Sequence, residues 1–207
     1  MAERFTGFPP EAVSFFRQLG RNNNRDWFQA HKATYESACR EPMQLLAAEL
    51  DPFGPSRVSR INRDIRFSAD KSPYKTSISA GIRGHYVHLS PEGLYVGAGM
   101  YKPEPAVLAR LRAAIADDAA GRRLQQIVTA LRRKGYEVGT HESVQSAPKG
   151  YKPDHPRIDL LRMKDIHAGK MFPPDGTLST RKLVDRIKNV ISDLEPFNDW
   201  IRRHVGR

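Results

Sequence analysis

The first fifty residues place apolar side chains at helical spacing. Pro9 and Pro10 suit the first turn of a helix, whose apolar stripe runs to Gly20: Ala12, Phe15, Phe16 and Leu19. Asn22, Asn23 and Asn24 follow, and asparagine favours the N-cap of a next helix, with a predicted stripe of Trp27, His31, Tyr35 and Ala38. Pro42 is expected to break that helix before a third, carrying Met43, Leu46 and Leu50. The alternative role of the asparagines is recognition of a ligand through their amides.

After residue 57 the apolar residues no longer recur at helical spacing but at every second position, which predicts strands. From Val58 to Phe67, Ile61, Ile65 and Phe67 would share one face with Arg63, while the other face carries Arg60, Asn62, Asp64 and Arg66. A second strand is predicted from the alternation of Ile78, Ala80 and Ile82 with small residues. Ser90-Pro-Glu-Gly93 is a turn sequence, and a tip at Pro91-Glu92 pairs Leu89 with Leu94 and Val87 with Val96 on one aliphatic face.

Helices are predicted again after the strands. One starts near Pro103 and Pro105, a second ends at Gly135, and a C-terminal helix is capped by Ser179 or Thr180 and kinked at Pro196. Between them lie a short predicted strand, 136–138, and a long polar loop, 139–157. Helices before and after a run of strands indicate one α+β domain over residues 1–207, an antiparallel sheet with a central hairpin and helices from both ends of the chain packed on it.

Composition excludes several classes of protein. The 207 residues carry 34 Lys and Arg against 23 Asp and Glu, a formal charge of +11, and 39% are hydrophobic. No run approaches the roughly 18 to 20 apolar residues of a membrane span, and the N-terminus lacks the pattern of a secretory signal. The single cysteine, Cys39, excludes an internal disulfide framework and a Cys-based zinc site. We therefore expect a cytoplasmic protein without membrane partners.

Most of the charge lies in two stretches. Residues 57–88 hold seven bases and two acids, and residues 130–172 hold nine bases and five acids. Such concentration is typical of a binding surface for anions.

Familiar catalytic and cofactor motifs are absent or weak. His85 and His88 would face opposite sides of a strand, and the remaining histidines are scattered without an HExxH pattern. Gly97 and Gly99 lack the third glycine of a dinucleotide loop. The Ser-x-x-Lys matches at Ser68 and Ser72 are short enough to occur by chance. No metal and no cofactor is predicted.

The segment 63–76 is the strongest candidate site. Its bases are the side chains that hold phosphate or carboxylate groups: Arg63, Arg66, Lys71 and Lys75. Asp64 and Asp70 are the candidate catalytic residues, which would orient these bases or act as a general base. Tyr74 would help to close the site. The alternative is a solvated edge of surface ion pairs.

A second basic segment, 148–156, carries Lys149, Tyr151 and His155 between three prolines. Either it is a clamp over the site, with Arg162 as a further ligand-binding residue, or it is a proline-rich surface loop.

Four motifs together resemble one protein family. They are Asn23-x-x-x-Trp27-Phe28, the segment RDIRFSADKSPYKT, Gly97-x-Gly99, and Pro148-Lys-Gly-Tyr with the residues up to Lys164. In this order they are similar to the family called domain of unknown function 2461, over roughly residues 5 to 203. The resemblance implies a single α+β domain in a bacterial-type cytosolic protein, and it implies no reaction, cofactor or substrate.

We expect the protein to bind an anionic, phosphate-bearing small molecule, with turnover left open. The alternative is a nucleic-acid-binding module, in which the aromatic face of the hairpin would stack unpaired bases: Tyr86, His88, Tyr95 and Tyr101. A structural protein without a ligand is the third interpretation. The sequence predicts no oligomeric state.

Overall fold

Six strands form one sheet. The computed structural model describes residues 4–66 and 69–206. Its strands are β1 (Ser56–Val58), β2 (Ile78–Ile82), β3 (His85–Ser90), β4 (Gly93–Met100), β5 (Glu137–Gly139) and β6 (Ile166–Phe172). They lie in the order β1-β2-β3-β4-β6-β5, and β1 with β2, β2 with β3 and β5 with β6 pair antiparallel. The predicted antiparallel sheet with a central hairpin is confirmed.

Helices precede and follow the strands, which confirms the predicted α+β class. Before the sheet come α1 (Pro10–Arg21), α2 (Arg25–Ala30), α3 (Lys32–Thr34), a π-helical turn (Tyr35–Arg40), α4 (Glu41–Glu49) and a 3₁₀ turn (Asp51–Phe53). After the hairpin come α5 (Pro105–Ala116), α6 (Asp118–Arg133), α7 (Ile158–Leu161) and α8 (Lys182–His204). Over the described residues, no helix combines the length and the apolar character that crossing a bilayer requires.

The chain divides into two compact units. The first comprises the chain up to Val96 with Met171–Asn189, and the second comprises Gly97–Lys170 with the chain from Val190 onward. The prediction of a single domain is not tested by this division and stays a prediction.

In the first unit, helices cover the sheet through their apolar faces. α1 packs on β3, and α4 packs on β1 and β2. The stripe predicted for α1 is buried as expected, and so is the aliphatic face of the hairpin: Val87, Leu89, Leu94 and Val96. Burial of these faces is the main stabilising contribution, at roughly 25 cal/mol per Å² of apolar surface.

In the second unit, α5 and α6 pack on each other, α6 packs on β5, and α5 packs on α7. Trp200 from α8 is buried, and its Nε1 donates a hydrogen bond to the Ala120 carbonyl at 2.9 Å. Arg157 is also buried, and its guanidinium donates to the carbonyls of Ile115 and Ala116, the last two residues of α5, at 2.6 and 2.9 Å. This buried cation satisfies carbonyls that the end of a helix leaves without partners.

Pro42 does not break the helix as predicted. It lies in the first turn of α4, directly after the π-helical turn. Because proline lacks an N–H and crowds the carbonyl four residues earlier, the preceding turn widens while the chain remains helical. The stripe predicted before Pro42 also differs, since Phe28 is buried together with Tyr35 and Ala38. Trp27 and His31 are half-buried and stack on each other, with ring centroids 4.0 Å apart.

The strand predicted from Val58 to Phe67 is wrong in its length. Strand β1 ends at Val58, and beyond it an isolated antiparallel bridge joins Asn62 to Tyr74. The alternation itself is present, because Ile61, Arg63 and Ile65 are half-buried while the polar residues between them are exposed. Phe67 and Ser68 lie outside the described residues. Strand β6 and helix α7 were not predicted, because neither segment has a clear period.

Candidate functional site

Asn23 fixes the backbone of the basic segment in the first unit. Its Nδ2 donates to the Tyr74 carbonyl at 2.9 Å, and its Oδ1 accepts from the Tyr74 N–H at 3.1 Å. Oδ1 of Asn24 accepts a hydrogen bond from the Trp27 N–H at 2.9 Å and thereby caps α2. Nδ2 of Asn22 donates a hydrogen bond to the Gln18 carbonyl at the end of α1. The asparagine run therefore joins two helices to the candidate site through backbone contacts, and the prediction that it caps the second helix is confirmed.

The bridge at Tyr74 folds the segment back on itself. Arg63 N donates to the Pro73 carbonyl and Lys75 N donates to the Ile61 carbonyl, both at 2.9 Å. The Tyr74 ring stacks on Phe28 of α2, with centroids 4.1 Å apart and planes 22° apart. Local backbone pairing and one buried aromatic contact thus hold a segment that has little apolar content.

The acids of this segment are paired with its arginines. Arg66 forms a bidentate pair with Asp64, at 3.0 Å from Nε and 2.7 Å from Nη2. Arg63 pairs with Asp70. The hydrogen bond from Arg66 holds the pKa of Asp64 below its usual range. Hydrogen bonds from the Ser72 side chain and backbone, followed by Arg63, lower the pKa of Asp70 to about 2.

The two predicted lysines have no carboxylate partner among the described residues. Lys71 Nζ donates to the Ile65 carbonyl at 3.0 Å, and Lys75 Nζ donates to the Arg60 carbonyl at 3.1 Å. No carboxylate in the described part of the chain therefore neutralises the charges of Lys71 and Lys75, and the segment keeps a net positive charge.

A groove of about 440 Å³ lies between the helices and this segment. One wall comes from α2, α3, the π-helical turn and α4, and the other comes from Val58–Asn62 and Tyr74. π-Helical turns inside longer helices occur frequently at functional sites. Most of the lining residues are polar or charged: Gln29, Lys32, Tyr35, Glu36, Arg40, Gln44, Ser59, Arg60 and Asn62.

The groove contains cations without partners. Neither Lys32 nor the Arg60 guanidinium forms a hydrogen bond or ion pair within the described parts of the chain, and both are exposed. Arg40 is paired with Glu36 at 3.0 Å. Burial raises the pKa of Tyr35 to about 12, so that its hydroxyl stays protonated and can donate to an anion. Two unpaired positive charges beside a neutral donor make this groove suitable for an anionic ligand.

Comparison with known proteins agrees with the resemblance seen in the motifs. A family of conserved hypothetical proteins, DUF2461, matches residues 11–200. The chain belongs to this family. No curated protein matches the chain. The DUF2461 match contains both walls of the groove and both basic segments, and its description carries no activity.

The remaining predicted site residues of this DUF2461 chain lie in the second unit. Lys149 is exposed. The Tyr151 N–H donates a hydrogen bond to the Pro148 carbonyl and closes a turn. His155 Nδ1 accepts a hydrogen bond from the Arg157 N–H at 3.1 Å. Arg162 lies 3.8 Å from Asp159, and its buried Nε has no hydrogen-bond partner in the described ranges. The buried Arg157 anchors this segment. That the two basic segments form one site stays a prediction.

The sequence reasoning missed Lys32 and Tyr35 and assigned Arg60 only to a charged strand face. A signal for the helical wall was present, since Gln29, Lys32, Glu36 and Arg40 recur at intervals of three or four residues. The opposing wall was not visible, because it depends on the folding back of residues 58–75.

Proposed function

We propose that this protein binds an anionic small molecule that carries a phosphate group, in the groove between Lys32 and Arg60. The observation that carries the proposal is that both cations line a groove of about 440 Å³ and neither side chain forms a hydrogen bond or ion pair with the described residues. Small-ligand sites span roughly 300 to 1,000 Å³ and combine apolar walls with a few placed polar groups. Arg60 suits two phosphate oxygens at once, and Lys32 supplies a point charge.

Neutral groups in the groove would bind the part of the ligand that carries no phosphate. The Tyr35 hydroxyl and the Gln29 and Gln44 amides form no hydrogen bonds with described residues, so their donors and acceptors are open to a ligand. The stacked rings of Phe28 and Tyr74 provide the apolar part of the lining. This combination fits a phosphorylated sugar or a nucleotide better than inorganic phosphate alone.

In this proposal, the acidic residues hold the bases in place. A carboxylate whose pKa is lowered is a weak base, so Asp64 and Asp70 are not proposed as general bases; they pair with Arg66 and Arg63, which do not line the groove. Lys71 and Lys75 add positive charge close to the bridge at Tyr74. The proposed function is therefore binding, and turnover is not part of it.

The test is a thermal-shift screen followed by calorimetric titration. The ligands are inorganic phosphate, sugar phosphates and nucleoside mono- and diphosphates, with the parent sugars and nucleosides for comparison. A bound phosphate compound should stabilise the protein, and Arg60→Gln and Lys32→Gln should each weaken its binding by roughly tenfold or more, as expected for loss of a charged hydrogen bond.

Arg57→Gln is the matched control, because Arg57 is also exposed, lies three residues before Arg60 and does not line the groove. It should leave the affinity within about twofold. Absence of stabilisation by any phosphate compound contradicts the proposal, and so does an equal loss in Arg57→Gln and Arg60→Gln.

Nucleic acid is the alternative outcome of the same experiment. Tyr86 and Tyr95 are half-buried and stack on each other at 5.7 Å, and His88 is half-buried, so these three rings are less open to bases than expected, whereas Tyr101 is exposed. A protein that binds the phosphate backbone of single-stranded DNA loses affinity steeply as the salt concentration rises. A steep salt slope that Arg57→Gln and Arg60→Gln reduce equally would favour the nucleic-acid interpretation over a discrete groove.

A further inference from the structure

The second unit brings together two histidines and an aspartate that the sequence separates. Strands β5 and β6 pair with Gly139 opposite His167, and the isolated bridge between Ser143 and Met163 continues the same register. Two residues beyond Gly139, this register places His141 opposite Asp165. The pairing of two short strands therefore assembles a cluster of His141, Asp165 and His167.

The distances in this cluster suit a metal ion. Nδ1 of His141 lies 3.1 Å from Oδ1 of Asp165, and Nδ1 of His167 lies 3.9 Å from the same oxygen. One ligand atom from each side chain lies within 4.8 Å of the other two. Nitrogen and oxygen ligands about 2.0 Å from a tetrahedral ion are roughly 3.3 Å apart, so shifts of less than about 1 Å would complete the coordination of an ion.

The burial of the three residues resembles an open metal site. The side chains of Asp165 and His167 are 2% and 12% exposed, whereas that of His141 is 48% exposed. Nδ1 of His167 is buried and has no hydrogen-bond partner within the described ranges. A buried nitrogen without a partner requires an explanation, and ligation of an ion provides one. The exposed side of His141 leaves a coordination position accessible to water.

The surroundings hold the ligands in position. Thr140 Oγ1 and the His141 N–H donate to Oδ1 of Asp165, at 3.1 and 2.9 Å, as groups behind a metal ligand commonly do. The Glu137 carboxylate lies 4.0 Å from Nε2 of His167, the nitrogen that faces away from Asp165. Gly99 of β4 has a φ of +141°, and a Cβ there would lie 2.6 Å from the His167 Cα. Strand β4 can approach the cluster this closely only because residue 99 has no side chain.

We infer that His141, Asp165 and His167 bind a divalent first-row transition-metal ion, with zinc(II) as the reference ion. Two imidazoles and one carboxylate match zinc, cobalt(II) and iron(II), whereas magnesium and calcium prefer a shell of oxygen ligands. On binding, Nδ1 of His141 exchanges its hydrogen bond to Asp165 for a bond to the ion. This inference is independent of the proposed anion groove, which lies in the first unit.

The experiment uses the full-length protein after removal of metal with a chelator. Cobalt(II) is titrated and followed by visible absorption, and zinc(II) is titrated by calorimetry. Magnesium(II) is the negative control, because it prefers oxygen ligands. We expect one equivalent of cobalt or zinc per chain, with visible bands of low-coordinate cobalt. We expect thermal stabilisation by zinc and none by magnesium.

His141→Asn is the decisive variant, because the half-exposed side chain can be replaced without opening the core. It should weaken zinc binding by at least about tenfold. His204→Asn is the matched control, because His204 is also partly exposed and contacts an aromatic side chain, that of Trp200, as His141 contacts Tyr101. His167→Asn is the second variant, with its melting curve measured without metal to confirm that it folds.

Loss of binding in His141→Asn and His167→Asn, with retention in His204→Asn, is the expected result. Three results would overturn the inference. They are no stoichiometric binding by the wild type, equal binding in His141→Asn and the wild type, and an equal loss in His204→Asn and His141→Asn, which indicates adventitious binding to surface histidines.

Discussion

The side chain of Asn23 forms two hydrogen bonds with the backbone of Tyr74, fifty-one residues later, through Nδ2 at 2.9 Å and Oδ1 at 3.1 Å. An asparagine amide thereby pairs with an extended residue in the way that a neighbouring strand would. The contact connects the helical wall of the groove to the segment that carries the predicted bases, so the conformation of both walls depends on it.

We expect Asn23→Ala to destabilise the protein by about 1 to 3 kcal/mol, because the N–H and carbonyl of Tyr74 lose partners in a partly buried position. Urea unfolding measures the change. Asn22→Ala is the control, since that amide makes one exposed hydrogen bond to Gln18, and its effect should stay within about 0.5 kcal/mol. Similar losses in the two variants would show that the contact with Tyr74 contributes little.

Two glycines in helices should respond differently to replacement by alanine. In α6, a Cβ on Gly121 would lie 2.1 Å from the Ile115 carbonyl oxygen and 2.5 Å from Nε of Arg157. In α1, a Cβ on Gly20 would meet only a methyl of Thr76, at 3.7 Å. Alanine in a helix is favoured over glycine by up to about 1 kcal/mol, and forced overlap costs about 1 to 3 kcal/mol.

We therefore expect Gly121→Ala to lower the unfolding free energy and Gly20→Ala to leave it unchanged or raise it. Chemical denaturation of both variants measures the difference. Stabilisation by Gly121→Ala would mean that α5 and α6 separate easily at this position.

The pH dependence of Asp70 follows from its pKa, which is lowered from 3.8 to about 2. A carboxylate whose pKa is lowered in the folded state contributes stability above the unfolded pKa and loses it as pH falls through the folded one. The contribution of Asp70 should therefore be complete above about pH 4 and disappear towards pH 2. It should be small, because this side chain is exposed.

An NMR titration of the Asp70 carboxyl carbon measures this pKa. Ser72→Ala and Arg63→Gln should each raise the pKa, because each removes a hydrogen bond that favours the charged carboxylate. A wild-type titration near pH 4, or an unchanged pKa in both variants, would contradict this explanation.

Regular periodicity explains which parts of the fold the sequence predicted. The stripe of α1, the alternation of β2 and the aliphatic face of the hairpin are each buried as expected, because a repeated period selects one face of a regular element. Strand β6 was missed, since Ile166–Phe172 contains a glycine and a lysine and shows no such alternation. The break expected at Pro42 is a π-helical turn directly before that proline, because the crowded carbonyl widens the turn while the chain remains helical.

The sequence by itself determined the α+β class, the central hairpin, the family and the concentration of bases in the segment 63–75, since all of these depend on local pattern and composition. Only the tertiary structure decided which bases have acidic partners and which face an open groove. It also placed His141 beside Asp165 and His167. The groove joins Lys32 to Arg60, and the cluster joins His141 to Asp165, 24 positions later; both follow from strand register and helix packing that no local period encodes.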